Sequence, residues 1–244
     1  MFQNIPQVTK NILILNVVLF VATFILEGQE IDLVSRFGAH YINSPLFEPY
    51  QIVTHFFMHA GLLHIFFNMW LFVMLGGYLE RIWGPKRFFI FYISCALGAF
   101  ALYNALGVYE LELLKDELIS LGYNIDEVNA TIGKGNYLDF QYNNIQPYRD
   151  YVIKSFTPMV GASGAVFGVM AAFAILFPNT EFMLYFAIPV KAKYLVGIYF
   201  LLEVFLAYQN NSGDNTAHLA HVGGAIVGGV IVLFWRKSDR TNFW

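Results

Sequence analysis

The sequence has little charge, a single cysteine and none of the metal-binding motifs common in metalloproteases. Only 13% of the 244 residues are Asp, Glu, Lys or Arg and 57% are hydrophobic, whereas a soluble domain is about a quarter charged. The net charge of −3 provides no basic surface for nucleic acid. The lone Cys95 excludes an internal disulfide and a multi-cysteine zinc site, and there is no His-Glu-x-x-His. These absences leave a membrane protein as the expected class.

Six apolar runs are long enough to be candidate membrane spans. A spanning helix needs about 17–20 apolar residues, so several runs are near the lower limit. The first run is followed by Glu27-Gly28-Gln29-Glu30 rather than by a small-residue cleavage site, which predicts a retained helix. The expected fold is an all-α membrane protein, a single six-helix bundle over residues 1–244. The predicted spans are residues 12–26, 62–79, 88–108, 163–177, 194–208 and 217–235.

Basic residues alternate between the connections and predict the orientation of the bundle. By the positive-inside rule, both termini are expected to be cytoplasmic. Residues 28–54 and the insertion at 109–158, between the third and fourth spans, then face outward. The inward basic residues are Lys10, Arg81, Lys86, Arg87, Lys191, Lys193, Arg236, Lys237 and Arg240.

The insertion at 109–158 is polar, unlike the rest of the chain. It contains eight acidic residues between Glu110 and Asp150. Leucines at 111, 114, 118 and 121 have helical spacing, which predicts a short amphipathic helix. We interpret the insertion as an outward cap or interfacial helix, and the alternative is a surface that contacts substrate or a partner.

Polar side chains gather at the start of the second span, where burial in a membrane is costly. His64 and Asn68 are four residues apart, so they share a helix face and both donate hydrogen bonds. Two stacked donors are suited to holding an oxyanion. His55 and His59 have a spacing that also suits a metal, but we prefer hydrogen bonds within the adjacent loop for this pair.

A serine and a histidine each lie on a helix with a groove of small residues. Ser163 opens the fourth span, where backbone N–H groups lack helical acceptors. Close packing of two such grooves would bring hydroxyl and imidazole within hydrogen-bond reach, about 2.6–3.2 Å. The alternative is that Ser163 is only a small packing residue. The fourth span has Gly164 and Gly168 below Ser163, and one face of the sixth has His221, Gly224 and Gly228.

One carboxylate, Glu203, lies well inside a span. No sequence feature places it beside His221, so we predict a Ser163–His221 dyad without a third member. Glu203 itself is expected to hydrogen-bond a neighbouring helix or to stay protonated.

These motifs together resemble the rhomboid family of intramembrane serine proteases, over roughly residues 10–236. Three phrases agree in order and spacing: His-Ala-x-x-x-His-x-x-x-Asn at 59–68, Gly-Ala-Ser-Gly at 161–164, and Ala-His-x-Gly-Gly-x-x-x-Gly at 220–228. Each phrase is weak alone, and the three together are specific.

The resemblance implies a role for each matching residue. Ser163 is the nucleophile and His221 its base, and the oxyanion is held by His64, Asn68 and the Ser163 backbone N–H. Phe167 matches the aromatic position beside the catalytic histidine. The remaining matching positions are His59, Gly161, Gly164, Gly224 and Gly228. His218 competes for the base role, but only His221 aligns the two glycines with those of the family.

Two family features concern residues outside the site. Glu80-Arg81 matches the acidic-basic pair that closes the second span. Many members carry Trp-Arg at the end of the first outward loop, where this chain has Tyr50-Gln51. This difference removes a charge that would anchor the loop.

The implied reaction is hydrolysis of a peptide bond in or near a transmembrane helix, with no metal or organic cofactor. Partners would be transmembrane protein substrates and membrane lipid. A compact chain without added domains predicts a bacterial inner membrane. Alternatives are a catalytically inactive relative that binds or escorts membrane helices, a metal-dependent membrane protease that uses His55, His59 and His64, and a transporter.

Overall fold

The computed structural model describes residues 5–134, 145–184, 188–209 and 216–238. The predicted basic Arg240 and part of the insertion, residues 135–144, lie outside these ranges. The elements in chain order are α1 (Gln7–Glu27), α2 (Leu33–Phe37), α3 (Gln51–Thr54), a 3-10 turn (His55–Phe57), α4 (Leu62–Leu71), a π-helical turn (Phe72–Gly76), α5 (Gly77–Trp83), α6 (Pro85–Ser120), α7 (Ile125–Gly133), α8 (Gln146–Phe156), α9 (Ser163–Leu176), β1 (Glu181–Leu184), β2 (Ile188–Lys191), α10 (Ala192–Gln209) and α11 (His218–Ser238).

The prediction of an all-α membrane bundle is confirmed. Within the described ranges, five helices are long and apolar enough to cross a membrane: α1, the continuous helix Leu62–Trp83, α6, α10 and α11. The remaining predicted span, the fourth, is α9, which has 14 residues and is therefore about 21 Å long. It is short but central, because it is rich in small residues and packs against α6, α10 and α11.

A buried carboxylate fixes the start of α1. The first turn of a helix has N–H groups without helical acceptors, and α1 has no side-chain cap of its own. Glu80, which is 3% exposed, accepts hydrogen bonds from Val8 N at 2.9 Å and from Thr9 N and Thr9 Oγ1 at 2.7 Å each. This contact ties α1 to the end of the second span.

The third span continues into the insertion. The prediction of a separate short helix here is wrong. The leucines at 111, 114 and 118 belong to the end of α6, which reaches Ser120. The extension is stable because Leu111 and Leu118 are buried against α7 and α8, in a second apolar core with Ile132 and Tyr151. Lys154 Nζ of α8 also pairs with Glu110 Oε2 of α6 at 2.7 Å.

The neutral side chain of Gln51 holds the outward loop, at the position where many family members carry an arginine. Gln51 is 1% exposed, and its Oε1 accepts from His40 N at 3.3 Å and Glu48 N at 3.2 Å. Its Nε2 donates to Arg36 O at 3.3 Å and Leu46 O at 3.1 Å. The loop is therefore anchored to itself through Gln51 despite the lost charge, because an amide supplies both donors and acceptors.

The sequence does not signal the hairpin between α9 and α10. Strands β1 and β2 pair antiparallel, with Glu181 opposite Lys191 and Leu184 opposite Ile188. Helix α9 ends at Leu176, one residue before the predicted end of the fourth span, and Pro178 follows.

Candidate active site

The structure brings Ser163 and His221 into direct contact. Ser163 is the first residue of α9, and His221 lies in the first turn of α11. The Ser163 Oγ is 2.8 Å from His221 Nε2, which is the separation a nucleophile and its base require. Because Ser163 begins its helix, its own backbone N–H has no acceptor inside α9.

Glycines make this contact sterically feasible. A Cβ on Gly224 would collide with the carbonyl oxygen of Gly164, and a Cβ on Gly228 would lie 2.6 Å from that of Gly168. The two grooves therefore lie directly against each other, backbone to backbone. Cys95 of α6 fills the space behind Gly168, and its thiol is fully buried.

An aromatic ring sets the tilt of the imidazole. The rings of Phe167 and His221 are stacked, with centroids 4.2 Å apart and an interplanar angle of 7°. The Phe167 ring also contacts the ring of Tyr199 on α10, with centroids 5.0 Å apart. Stacking restricts the rotation of His221, so its Nε2 stays directed at the serine.

Two donors face the backbone just before the serine. Gly161 has a φ of +116°, and a Cβ there would lie 2.7 Å from His64 Nε2 and 3.6 Å from Asn68 Nδ2. Glycine is thus needed both for this backbone conformation and for the close approach. The Nδ2 of Asn68 is buried without a hydrogen-bond partner among the described residues. An unused buried donor beside a serine hydroxyl is available to an anionic oxygen.

The other two histidines of this region, His55 and His59, contact residues of the site. The His59 ring packs edge-on against His64, with centroids 5.0 Å apart. His55 Nδ1 lies 2.8 Å from Gln51 O, and the His55 carbonyl accepts from Gly161 N at 3.0 Å. Burial lowers the pKa of His55 to about 4 and that of His59 to about 3. Both rings are therefore neutral at physiological pH.

Glu203 is the residue that sequence reasoning misplaced. Its Oε2 lies 2.8 Å from His221 Nδ1 and 2.6 Å from His218 Nδ1, and the residue is 3% exposed. The expected hydrogen bond from Glu203 to a neighbouring helix is confirmed, and that helix is α11, the sixth span, beside which no sequence feature had placed it. A signal did exist, because a carboxylate inside a membrane needs donors and α11 offers two histidines three residues apart.

Within the described ranges, Glu203, His218 and His221 form the one cluster of three side chains with metal-ligand chemistry. His55, His59 and His64 do not form such a cluster. His55 makes the predicted hydrogen bond, to Gln51 O, whereas both ring nitrogens of His59 are buried without a hydrogen-bond partner among the described residues.

An open cavity gives access to these groups. It has a volume of about 730 Å³ and is lined by Ser163, His221, His64 and Asn68. Glu110, Asp150 and Lys154 form part of its rim, so the insertion contributes to the wall. A cavity with polar groups of this kind can hold water within a membrane bundle.

Comparison with known proteins gives the family. The sequence pattern of the Rhomboid domain matches residues 46–123 and 135–238. An uncharacterized mitochondrial rhomboid protein of Schizosaccharomyces pombe is 28% identical over 231 residues, covering 84% of this chain and 57% of the relative. The mitochondrial RHOMBOID-like protein 12 of Arabidopsis thaliana is 28% identical over 194 residues, covering 80% of this chain and 48% of the relative.

Two further facts follow from these matches, one on the length of the relatives and one on the predicted membrane. The chain spans about half the length of the curated relatives it matches. Both relatives are named as mitochondrial proteins, which conflicts with the predicted bacterial inner membrane. The domain match extends over more than half of the residues, from the outward loop to the end of α11. The chain therefore belongs to the rhomboid family.

Proposed function

We propose that the chain is an intramembrane serine endopeptidase that cleaves transmembrane segments of membrane proteins. The observation that carries the proposal is the 2.8 Å contact between Ser163 Oγ and His221 Nε2. This contact lies in an open cavity whose wall also holds two side-chain donors, His64 and Asn68. A nucleophile, a base and oxyanion donors around one space are the components of acyl transfer.

The reaction follows from these positions. Ser163 Oγ attacks the carbonyl carbon of the scissile peptide while its proton passes to His221 Nε2. The negative oxygen of the tetrahedral intermediate is stabilised by the Ser163 backbone N–H, His64 and Asn68. His221 then gives its proton to the leaving amine, and an acyl-enzyme remains. Water, deprotonated by His221, adds to the acyl carbon, and the proton returns to Ser163 as the acid leaves.

The chemistry requires a substrate whose backbone is accessible. A peptide bond inside a helix is shielded by its own hydrogen bonds, so the substrate helix must unwind locally before the serine reaches it. By resemblance to the family, helix-weakening residues near the bond, with a small residue before it, are the expected preference. We place both termini on the membrane face that carries Arg81 and Lys86, opposite the mouth of the cavity.

Labelling with a fluorescent fluorophosphonate in detergent tests the proposal. Attack of Ser163 on phosphorus forms a P–O bond and releases fluoride, while the hydroxyl proton passes to His221. We expect labelling of the wild type that is lost in Ser163→Ala and His221→Ala and is insensitive to a chelator.

Ser155→Ala is the matched control. Its hydroxyl is buried without a hydrogen-bond partner among the described residues, so its removal should leave labelling unchanged. A folded wild type that is not labelled would contradict the proposal and favour an inactive relative that binds or escorts membrane helices.

A further inference from the structure

We propose that Glu203 is the third member of the catalytic arrangement, a positioning residue that acts through His221, and that His218 holds it in place. This inference rests on the proposed function and extends it from a dyad to a four-residue network. Its basis is one carboxylate oxygen, Glu203 Oε2, that lies 2.8 Å from His221 Nδ1 and 2.6 Å from His218 Nδ1.

The burial of Glu203 explains why two histidines are needed. The residue is 3% exposed and lies in the middle of α10, a helix whose other side chains are largely apolar. A buried carboxylate stays ionised only when donors or cations compensate it. The imidazoles of His218 and His221 supply two N–H groups to the same oxygen. Without His218, the carboxylate would depend on the catalytic histidine alone.

The arrangement also fixes the tautomer of His221. When Nδ1 carries the proton and donates it to Glu203, Nε2 keeps its lone pair and can accept the Ser163 proton. After that transfer the imidazole is a cation, and the adjacent carboxylate stabilises it without taking the proton. The proton is delivered from Nε2 to the leaving amine, so Glu203 ends the cycle unchanged. The other tautomer would place a proton between His221 and Ser163 and block the reaction.

The same three side chains offer ligands for a metal ion, and the distances decide between the two interpretations. Zinc–nitrogen and zinc–oxygen bonds are about 2.0–2.2 Å, so tetrahedral geometry sets neighbouring ligand atoms roughly 3.3 Å apart. The separations of 2.6 and 2.8 Å are hydrogen-bond lengths. A metal on His221 Nδ1 would also leave the proton on Nε2, which is incompatible with a base at that atom.

Glu203→Gln tests the inference, with Glu80→Gln as a matched control. Glu80 has the same exposure of 3% and also accepts several hydrogen bonds, but it lies on α5, where it contacts the start of α1, and does not line the cavity. We expect Glu203→Gln to lower the limiting rate of fluorophosphonate labelling, kinact, by about 10²–10⁴-fold, because an amide neither fixes the tautomer nor stabilises the cation. The half-saturating concentration of reagent should not change.

Three further variants refine the result. Glu203→Asp should recover part of the rate, since it keeps the charge on a shorter side chain. His218→Ala should reduce the rate less than Glu203→Gln does, and His218→Gln, which retains an N–H donor, should restore it. Glu80→Gln should lower the thermal unfolding temperature and leave kinact at the wild-type value.

A second readout does not depend on activity. In 15N-histidine-labelled Ser163→Ala, the Nδ1–H protons of His218 and His221 should appear at low field in the proton spectrum, and both should move upfield when Glu203→Gln is added. Wild-type kinact in Glu203→Gln would overturn the inference while leaving the proposed function intact. Low-field signals that are absent until a chelator is added, with labelling increased by the chelator, would show a metal site instead. An unlabelled wild type that still shows the signals would refute only the proposed function.

Discussion

Replacing Gly224 with alanine tests whether the contact between α9 and α11 sets the distance from the serine to the histidine. The new Cβ would collide with the Gly164 carbonyl oxygen and lie 2.6 Å from its carbonyl carbon, whereas carbon atoms in contact are about 3.5–4.0 Å apart. Both partners are backbone atoms, so no side-chain rotation relieves the clash. The two helices must separate by about 1 Å, a distance that corresponds to the shortfall in this contact.

Two energies oppose each other in this variant. Alanine in a helix is more stable than glycine by about 0.5–1 kcal/mol, while overpacking of a tight interface costs about 1–3 kcal/mol. Because the clash is with backbone, the cost should be near the upper end and exceed the gain. We expect a lower unfolding temperature, and a displacement of about 1 Å should reduce the labelling rate by roughly 10²-fold.

Gly229→Ala is the control on the same helix. Its Cβ would lie 3.6 Å from Ile175 Cδ1, an ordinary contact, so stability should be equal to or above that of the wild type. Fluorophosphonate labelling rates and thermal unfolding in detergent measure both variants. A Gly224→Ala protein that labels at the wild-type rate would refute the reasoning, whatever its unfolding temperature.

Three other substitutions or conditions give separate predictions. Asn68→Ala should lower the labelling rate by about 10²–10³-fold through loss of an oxyanion donor, without loss of stability, because its Nδ2 has no partner to lose. Glu80→Ala should lower the unfolding temperature, measured by light scattering on heating, because two backbone N–H groups of α1 lose their acceptor. The unfolding temperature should also fall as pH drops from about 7 to 4, since the folded pKa values of His55 and His59 are about 4 and about 3 against 6.5 when unfolded, so that the unfolded chain takes up the protons. A constant unfolding temperature over that pH range would contradict neutral buried rings.

The pairing of Ser163 with His221 could be predicted because glycines mark where helices approach. A Gly-xxx-Gly face identifies one side of a helix even when the whole helix is apolar. The grooves of the fourth and sixth spans therefore indicated the partner helix, while the choice of His221 over His218 came from the resemblance to the family's glycine positions. The structure has this arrangement, with Gly224 against Gly164.

The position of Glu203 could not be obtained in the same way. Helix α10 has no groove of small residues and no distinct apolar face, because nearly all its residues are hydrophobic and most of them are not buried in the bundle. Its rotation about its own axis is thus not encoded in a pattern. The available signal was that a buried carboxylate needs hydrogen-bond donors. That signal identifies the donors only when the adjacent helix is already known.

The insertion and the outward loop converge on the segment that leads into α9. The Ser155 carbonyl, at the end of α8, lies 3.0 Å from His40 Nδ1, and Met159 exchanges backbone hydrogen bonds of 2.8 Å with the loop residue before His40. Gly161 N then donates to His55 O at 3.0 Å. Each contact fixes one point of the short segment 155–161, which ends two residues before Ser163.

This path changes the interpretation of the polar insertion. A cap that merely covered the bundle would need no connection to the serine. Here α8 lines the cavity through Ile153 and Lys154. It also leads directly into the extended segment around Met159, whose backbone hydrogen bonds position Gly161. Gly161 holds its unusual backbone conformation against His64 and Asn68. It lies only six residues after Ser155, so a displacement of α8 would also move Gly161 relative to these two side chains. The insertion is therefore part of the framework of the site, and the side chains that bury its helices contribute to the geometry of the serine.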